Sequence, residues 1–258
     1  MKYRLLVGFL LVVVLLCVFA VASTGMAMTG DEVLAKVDAV LSASDNSLGE
    51  ATMTLIDKDG DEKERKLKIW TKHYKDKDDW SILKFLTPAE IRDLGFLSLS
   101  DDQMYLYLPA FDRVRRIASH ARKESFAGSD LSNDDLSTGK YTDHYDAQIA
   151  QETETQYVLE LTRKPGSDRI YPRVVAWVDK GEFTASKMEL YDDQNNLWKT
   201  NEIENEKIQG YWTPRQITMK DVQKDHTTIM KITKIQYDTD LDDNVFTKRY
   251  LKRRLKGD

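Results

Sequence analysis

The stretch Gln103–Leu136, QMYLYLPAFDRVRRIASHARKESFAGSDLSNDDL, decides the fold. Met104, Leu106 and Leu108 alternate with Tyr105 and Tyr107, so it opens as a strand with two specified faces. Pro109 has no N–H to donate and ends that ladder. Arg113 to Ile117 reads as a second strand, with three arginines in four residues. The alternation then lapses. ESFAGSDLSNDDL (124–136) is rich in Ser, Asp and Gly, with apolar residues only at Phe126, Ala127, Leu131 and Leu136. This is expected to be a loop or short irregular helix, a mobile flap anchored over a sheet. A strand pair with such a flap in mid-chain implies a covered pocket.

Outward from this stretch the dominant period is two. Ala51 to Ile56 and Glu62 to Thr71 form a hairpin around Asp59-Gly60, followed by strands at Trp80–Leu86 and Phe96–Leu99. Thr87-Pro88 starts a short helical turn between those two strands. Past the flap, strands are expected at 141–150, 156–163, 174–179, 185–191, 197–209, 212–222 and 227–237. Two helices interrupt the pattern. Thr29 to Ser42 carries a capping box, Thr29 with Glu32, and an apolar stripe of Val33, Leu34, Val37, Val40 and Leu41. Asp243 to Leu255 reads as a terminal helix with many basic residues.

Successive strands joined by short turns make a meandering antiparallel sheet. Such a sheet, apolar on one face, must roll up or be covered. Met53, Leu55, Leu67, Ile69, Leu83, Phe85, Leu97, Leu99, Met104, Leu106, Val175, Trp177, Met188, Leu190, Met219, Met230 and Ile232 are the residues expected to line the concavity. The helix stripe, with Phe126 and Asp130 of the flap, would form its lid. Arg113, Arg115 or Arg116 would latch that lid through Asp130, Asp134 or Asp135; an exposed charged strand face is the competing explanation.

The 258 residues carry 38 basic and 43 acidic side chains, a formal net charge of −5. Lys2 and Arg4 lie in an N-terminal segment that reads as a secretory signal. Leu5 to Ala22 is its apolar region, and Gly25-Met26-Ala27 its cleavage site. Cleavage after Ala27 leaves residues 28–258 as one domain with charge 36 − 43 = −7; an uncleaved anchor is the alternative. An acidic chain without a concentrated basic groove is a poor nucleic-acid binder. Cys17 lies within the apolar run behind Leu16, which a lipid-attachment signal does not allow. The mature chain would therefore have no disulfide and no thiol chemistry. Its strands and core alone must hold it together.

The motifs YLP (107–109), RVRRI (113–117) and SFAGSDLSNDDL (125–136) resemble the outer-membrane lipoprotein-sorting family of LolA-like periplasmic carriers. Departures fall at Leu131, Asn133 and Asp134, where relatives commonly carry Phe, Tyr and Glu. The resemblance continues through TPAEIRDLGFLSL (87–99), YPRVVAWVD (171–179) and DLDDNVF (240–246). It implies an incomplete β-barrel covered by a helical lid. It also implies a carrier of lipid or lipoprotein acyl chains, passing them in the periplasm from an inner-membrane transporter to an outer-membrane acceptor. A monomer without cofactor is expected.

No catalytic signature competes with this. Asp57–Glu62 places Gly fourth rather than sixth, so a hairpin explains it better than a calcium loop. Gly128-Ser129-Asp130 is not a nucleophile elbow. His73, His120, His144 and His226 have no ligand-like spacing, and Asp134-Asp135 reads as a cap or solvated turn. Two rivals remain: a periplasmic accessory that docks on a lipid exporter without holding lipid, and an enzyme acting on the envelope.

Overall fold

A computed structural model describes residues 28–255. The expected leader, 1–27, lies outside the described residues. Helix α1 (Gly30–Leu41) begins with the expected capping box: Thr29 Oγ1 accepts from Glu32 N at 3.2 Å, and Glu32 Oε2 accepts from Thr29 N at 2.7 Å. Two of the four orphan N-terminal donors are thereby satisfied.

Thirteen strands follow. The first six are β1 (Asn46–Ile56), β2 (Glu62–Lys72), β3 (Trp80–Thr87), β4 (Gly95–Ser98), β5 (Met104–Leu108) and β6 (Arg113–Arg116). After the flap come β7 (Tyr145–Glu152), β8 (Gln156–Arg163), β9 (Arg173–Asp179), β10 (Ala185–Tyr191), β11 (Leu197–Ile208), β12 (Tyr211–Asp221) and β13 (His226–Tyr237). They form one antiparallel sheet ordered β6-β5-β4-β3-β2-β1-β13-β12-β11-β10-β9-β8-β7. Two meanders, β1–β6 and β7–β13, are thus joined by the pairing of β1 with β13. Laid flat, thirteen strands would span roughly 60 Å at about 4.8 Å per step. Yet Met104 of β5 and Leu161 of β8 share one core with α1 and the flap. The sheet therefore curls around that core without closing. Bulges at Thr233 of β13, opposite Glu50/Ala51, and at Arg215 of β12, opposite Glu204/Asn205, add local bend.

The start of α1 lies tight against β7. A Cβ on Gly30 would collide with the carbonyl of Ala147, and Asp31 Oδ1 accepts from Ala147 N at 2.7 Å. Gly30→Ala must push the helix off the sheet. It is expected to lower stability by about 1–3 kcal/mol, read as a shifted urea midpoint.

Two expected elements differ. Tyr141–His144 is a short helix, α2, because the Asp38 carboxylate accepts from the backbone N–H groups of Tyr141 (3.0 Å) and Thr142 (2.9 Å). The C-terminal segment is a 3-10 turn at Asp243–Val245 and a short helix α3 (Lys248–Lys252). No helix among the described residues is long and apolar enough to cross a membrane.

That C-terminal segment covers the outer face of the sheet. Phe246 and Leu251 pack there with Trp70, Ile82, Leu97, Tyr105 and Tyr107. Leu97 and Leu99, expected in the concavity, belong to this outer cluster, while their neighbour Phe96 points inward. Val175 and Trp177 are also corrected. On β9 the inner core takes Val174, Ala176 and Val178, leaving Trp177 outside under Lys187, whose Nζ lies 4.5 Å from the ring centroid. Val175 pairs across the sheet with Glu160 and Glu189 on that outer side.

Candidate functional site

The flap is pinned rather than mobile. Phe126 is 1% exposed, stacked on Phe85 at 5.6 Å between centroids and edge-on to Phe96 at 5.8 Å. Ala127 and Gly128 turn the chain through left-handed backbone, φ 52° and 77°. Ser125 and Ser132 then bridge as an antiparallel pair. Arg65 Nη1 donates to the Ala127 carbonyl at 2.5 Å.

Each flap aspartate has its own partners. The Asp130 carboxylate accepts from Thr228 Oγ1 at 2.7 Å and meets His226 Nδ1 at 2.6 Å. Asp135 accepts from Ser132 N and Oγ, both at 2.7 Å, and from Tyr171 OH at 3.1 Å. Lys199 Nζ lies 3.4 Å from Asp135 and donates to the Asp130 carbonyl at 2.7 Å. Asp134 accepts from Ile170 N at 3.1 Å and faces Arg122 at 3.4 Å and Arg169 at 3.9 Å. Asp134-Asp135 is accordingly a buried ionic hub, not a solvated turn.

The latch expected from Arg113, Arg115 and Arg116 does not form. None of the three meets a flap aspartate; Arg116 Nη2 donates instead to the Asp102 carbonyl at 2.7 Å. The physical reason is topological. Strand β6 is the sheet's edge, and the flap leaves it to pass inside, so the edge arginines stay in solvent where they blunt an open ladder. The side chains that hold the flap are Arg122, Arg169, Lys199 and His226, with Arg65 on its backbone.

One carboxylate ties the two ends of the open sheet. Asp101, between β4 and β5, lies against His144 Nε2 of α2 and 3.1 Å from Arg169 Nη2 in the β8–β9 loop. Burial pushes its carboxyl up, but the His144 hydrogen bond and the charges of Arg169 and Arg122 outweigh this and hold it below the usual value. For Asp134 burial wins, and its carboxyl sits above the ordinary value despite Arg169 and Arg122. Burial, then the charge of Asp135, pushes the Tyr171 phenol far up.

Beside the flap, under α1, the inner face leaves a cavity of about 260 Å³. Leu34, Val37, Val40 and Leu41 of α1 form one wall; Met188, Leu190, Met219 and Met230 form part of the other. Leu131, Leu136 and the hub of Asp134, Asp135 and Arg169 close the flap end. Leu41 is 47% exposed, and with half-buried Val40, Phe183 and Trp212 it marks the mouth.

The expected cavity set divides by position along the sheet. Met53, Leu55, Leu67, Leu83, Phe85 and Met104 are buried on the inner face but outside the cavity lining; Phe85 packs directly on the flap. Ile69, Leu106 and Ile232 are half-buried on the same face, and Val33 is core beneath the helix. Leu159, Leu161, Ala176, Val178, Ile203 and Ile217 line the cavity and were not foreseen. For Leu159 and Leu161 the signal was present: they alternate with Glu160 and Thr162.

A half-open, curled antiparallel sheet with an apolar hollow on its inner face is the architecture of the LolA-like fold. The chain belongs to the DUF1329 family, and its fold is the one seen in LolA-like proteins. A family model described as "-like: Uncharacterized protein" matches residues 77–253. A crystal structure of a DUF1329 family protein from Desulfovibrio piger is similar at 31% identity and TM-score 0.81, over 86% of this chain and 97% of that one. An outer membrane lipoprotein-sorting protein domain from Vibrio parahaemolyticus is similar at 24% identity and TM-score 0.79, over 87% and 98%. A LolA superfamily protein from Nitrosomonas europaea is similar at 23% identity and TM-score 0.72, over 87% and 100%. No curated protein matches.

Proposed function

We propose that this protein, exported and trimmed to residues 28–258, is a periplasmic carrier of a lipid or lipoprotein acyl chain. It takes cargo from an inner-membrane transporter and yields it to an outer-membrane acceptor. The observation that carries this reading is the apolar cavity under α1. The helix is the lid. Its apolar stripe rests over the hollow, whereas the flap is held by Arg122, Arg169, Lys199 and His226 and serves as the floor.

The cavity of about 260 Å³ is near the lower limit of the roughly 300–1,000 Å³ usual for ligand sites. A long chain therefore enters only as α1 shifts. Burying sixteen carbons is worth on the order of 12 kcal/mol at about 0.8 kcal/mol per CH₂. Breaking helix-to-sheet contacts offsets part of that gain. Binding is then moderate and cargo can be handed on. Met53, Leu67, Leu83 and Phe85 support the floor in this scheme, and the cargo meets Met188, Leu190, Met219 and Met230.

Mass spectrometry of the natively purified protein should find co-purifying lipid. A fluorescent acyl probe provides the quantitative test. Leu41→Glu puts a charge at the mouth on an exposed side chain, so stability should change by no more than about 0.5 kcal/mol. Probe affinity should fall at least tenfold, because an entering chain must pass or neutralise the carboxylate. A protein that holds no lipid and ignores the probe while α1 demonstrably opens is a docking accessory instead.

A further inference from the structure

Among the described residues, the side-chain oxygen of Asn201 is buried and has no hydrogen-bond partner. Asn201 belongs to the cavity wall. It lies on β11, with Met188 beside it on β10 and Met219 on β12, and thioethers are poor hydrogen-bond partners. The other polar groups nearby are engaged. Two residues toward the flap, Lys199 is committed to the Asp130 carbonyl and Asp135. Four residues toward the mouth, Asn205 Nδ2 donates to the Ala185 carbonyl at 2.7 Å. Asn201 therefore stands ~13 Å further in than Asn205, at about 3.3 Å per residue of strand.

A cavity built only for alkyl chains would place an aliphatic residue here, because a buried amide oxygen left unpaired is costly. We propose that Asn201 receives a hydrogen-bonding oxygen near the leading end of an inserted lipid. The cargo is then an amphiphile whose buried end carries a hydroxyl group able to donate to that oxygen, not a plain hydrocarbon tail. The amide oxygen accepts from such a hydroxyl, whereas a carbonyl would leave it unpaired. This assignment deepens the carrier reading and rests on it.

The test is displacement of a bound fluorescent fatty-acid probe by hexadecanoic acid and by ω-hydroxyhexadecanoic acid. These competitors differ only by one oxygen at the end that enters first. Wild type should accept the hydroxy acid at least as well as the plain one. In Asn201→Leu, the plain acid should bind as before or more tightly and the hydroxy acid about tenfold more weakly, the scale of one buried polar group left unpaired. Asn201→Ala should show the same reversal without added bulk, and retained binding of the plain acid reports an intact fold. Equal discrimination against the hydroxy acid in wild type and both variants makes Asn201 a mere wall residue and overturns the assignment, with the carrier reading intact. Failure of the probe to bind any of the three proteins removes both.

Discussion

Phe126→Ala is expected to lower the thermal unfolding midpoint by roughly 10 °C. Phe126 joins flap to sheet by stacking on Phe85 and meeting Phe96 edge-on, and almost none of its surface is exposed. Deleting such a ring costs about 3–5 kcal/mol through lost transfer energy and the cavity left behind. At about 2–4 °C per kcal/mol for a chain of this size, that is a shift readily seen by calorimetry. The ring lies outside the cavity lining. Acyl-probe affinity measured well below the new midpoint should therefore stay near wild type. A clear loss of probe at full folding would mean that cargo reaches beneath the flap.

The second large effect is expected at Asp101. Asp101→Ala strands Arg169 and His144 without the carboxylate that faces both, and it removes the tie between the β4–β5 loop and the β8–β9 loop. Taking one partner from a buried ionic cluster costs about 3–5 kcal/mol. Denaturant unfolding should show most of this at neutral pH. The pH dependence has a definite sign. The folded carboxyl is held below its ordinary value, 3.8. Its stabilisation is thus complete above that value and is lost as pH falls through the lower folded one. Wild type should lose stability on acidification below about pH 4 more steeply than Asp101→Ala, because the variant has already lost this contribution. Asp134 acts in the opposite sense. Its folded carboxyl is raised, so its contribution is greatest in acid and fades as pH rises through the folded value. A double variant with Asp134→Asn separates the two.

Strand alternation was informative where one face of the sheet meets solvent and failed where both faces are covered. Leu67 and Met188 were legible because charged neighbours fix the outward side. In GFLS all four residues are buried, inside by the flap and outside by the C-terminal segment, so parity carried no information and Leu97 was misplaced. VVAWV failed for the same reason: Trp177 is sheltered outside by Lys187. The ionic hub was hidden for another reason. Arg122 is 3% exposed within SHARKES, a stretch as polar as any solvated loop. Its burial depends on Asp101 and Asp134, which tertiary structure alone brings to it. Composition gives the number of charges in a segment and not whether they face one another. The helix cap was legible because every group it needs lies within four residues.

The pairing of β1 with β13 also constrains how the molecule is born. Ser47 sits opposite Tyr237, so the central ladder of the sheet cannot zip until nearly the whole chain is present. Each meander is built from neighbours in sequence and can assemble early, but an unpartnered β1 or β13 is a naked edge open to any passing strand. Loop closure over such a span adds its entropic cost before any contact rewards it. Joining the two halves is then expected to be the slow step of folding. A chain emerging amino-terminus first carries its most vulnerable edge, β1, from the beginning and receives the strand that shields it last.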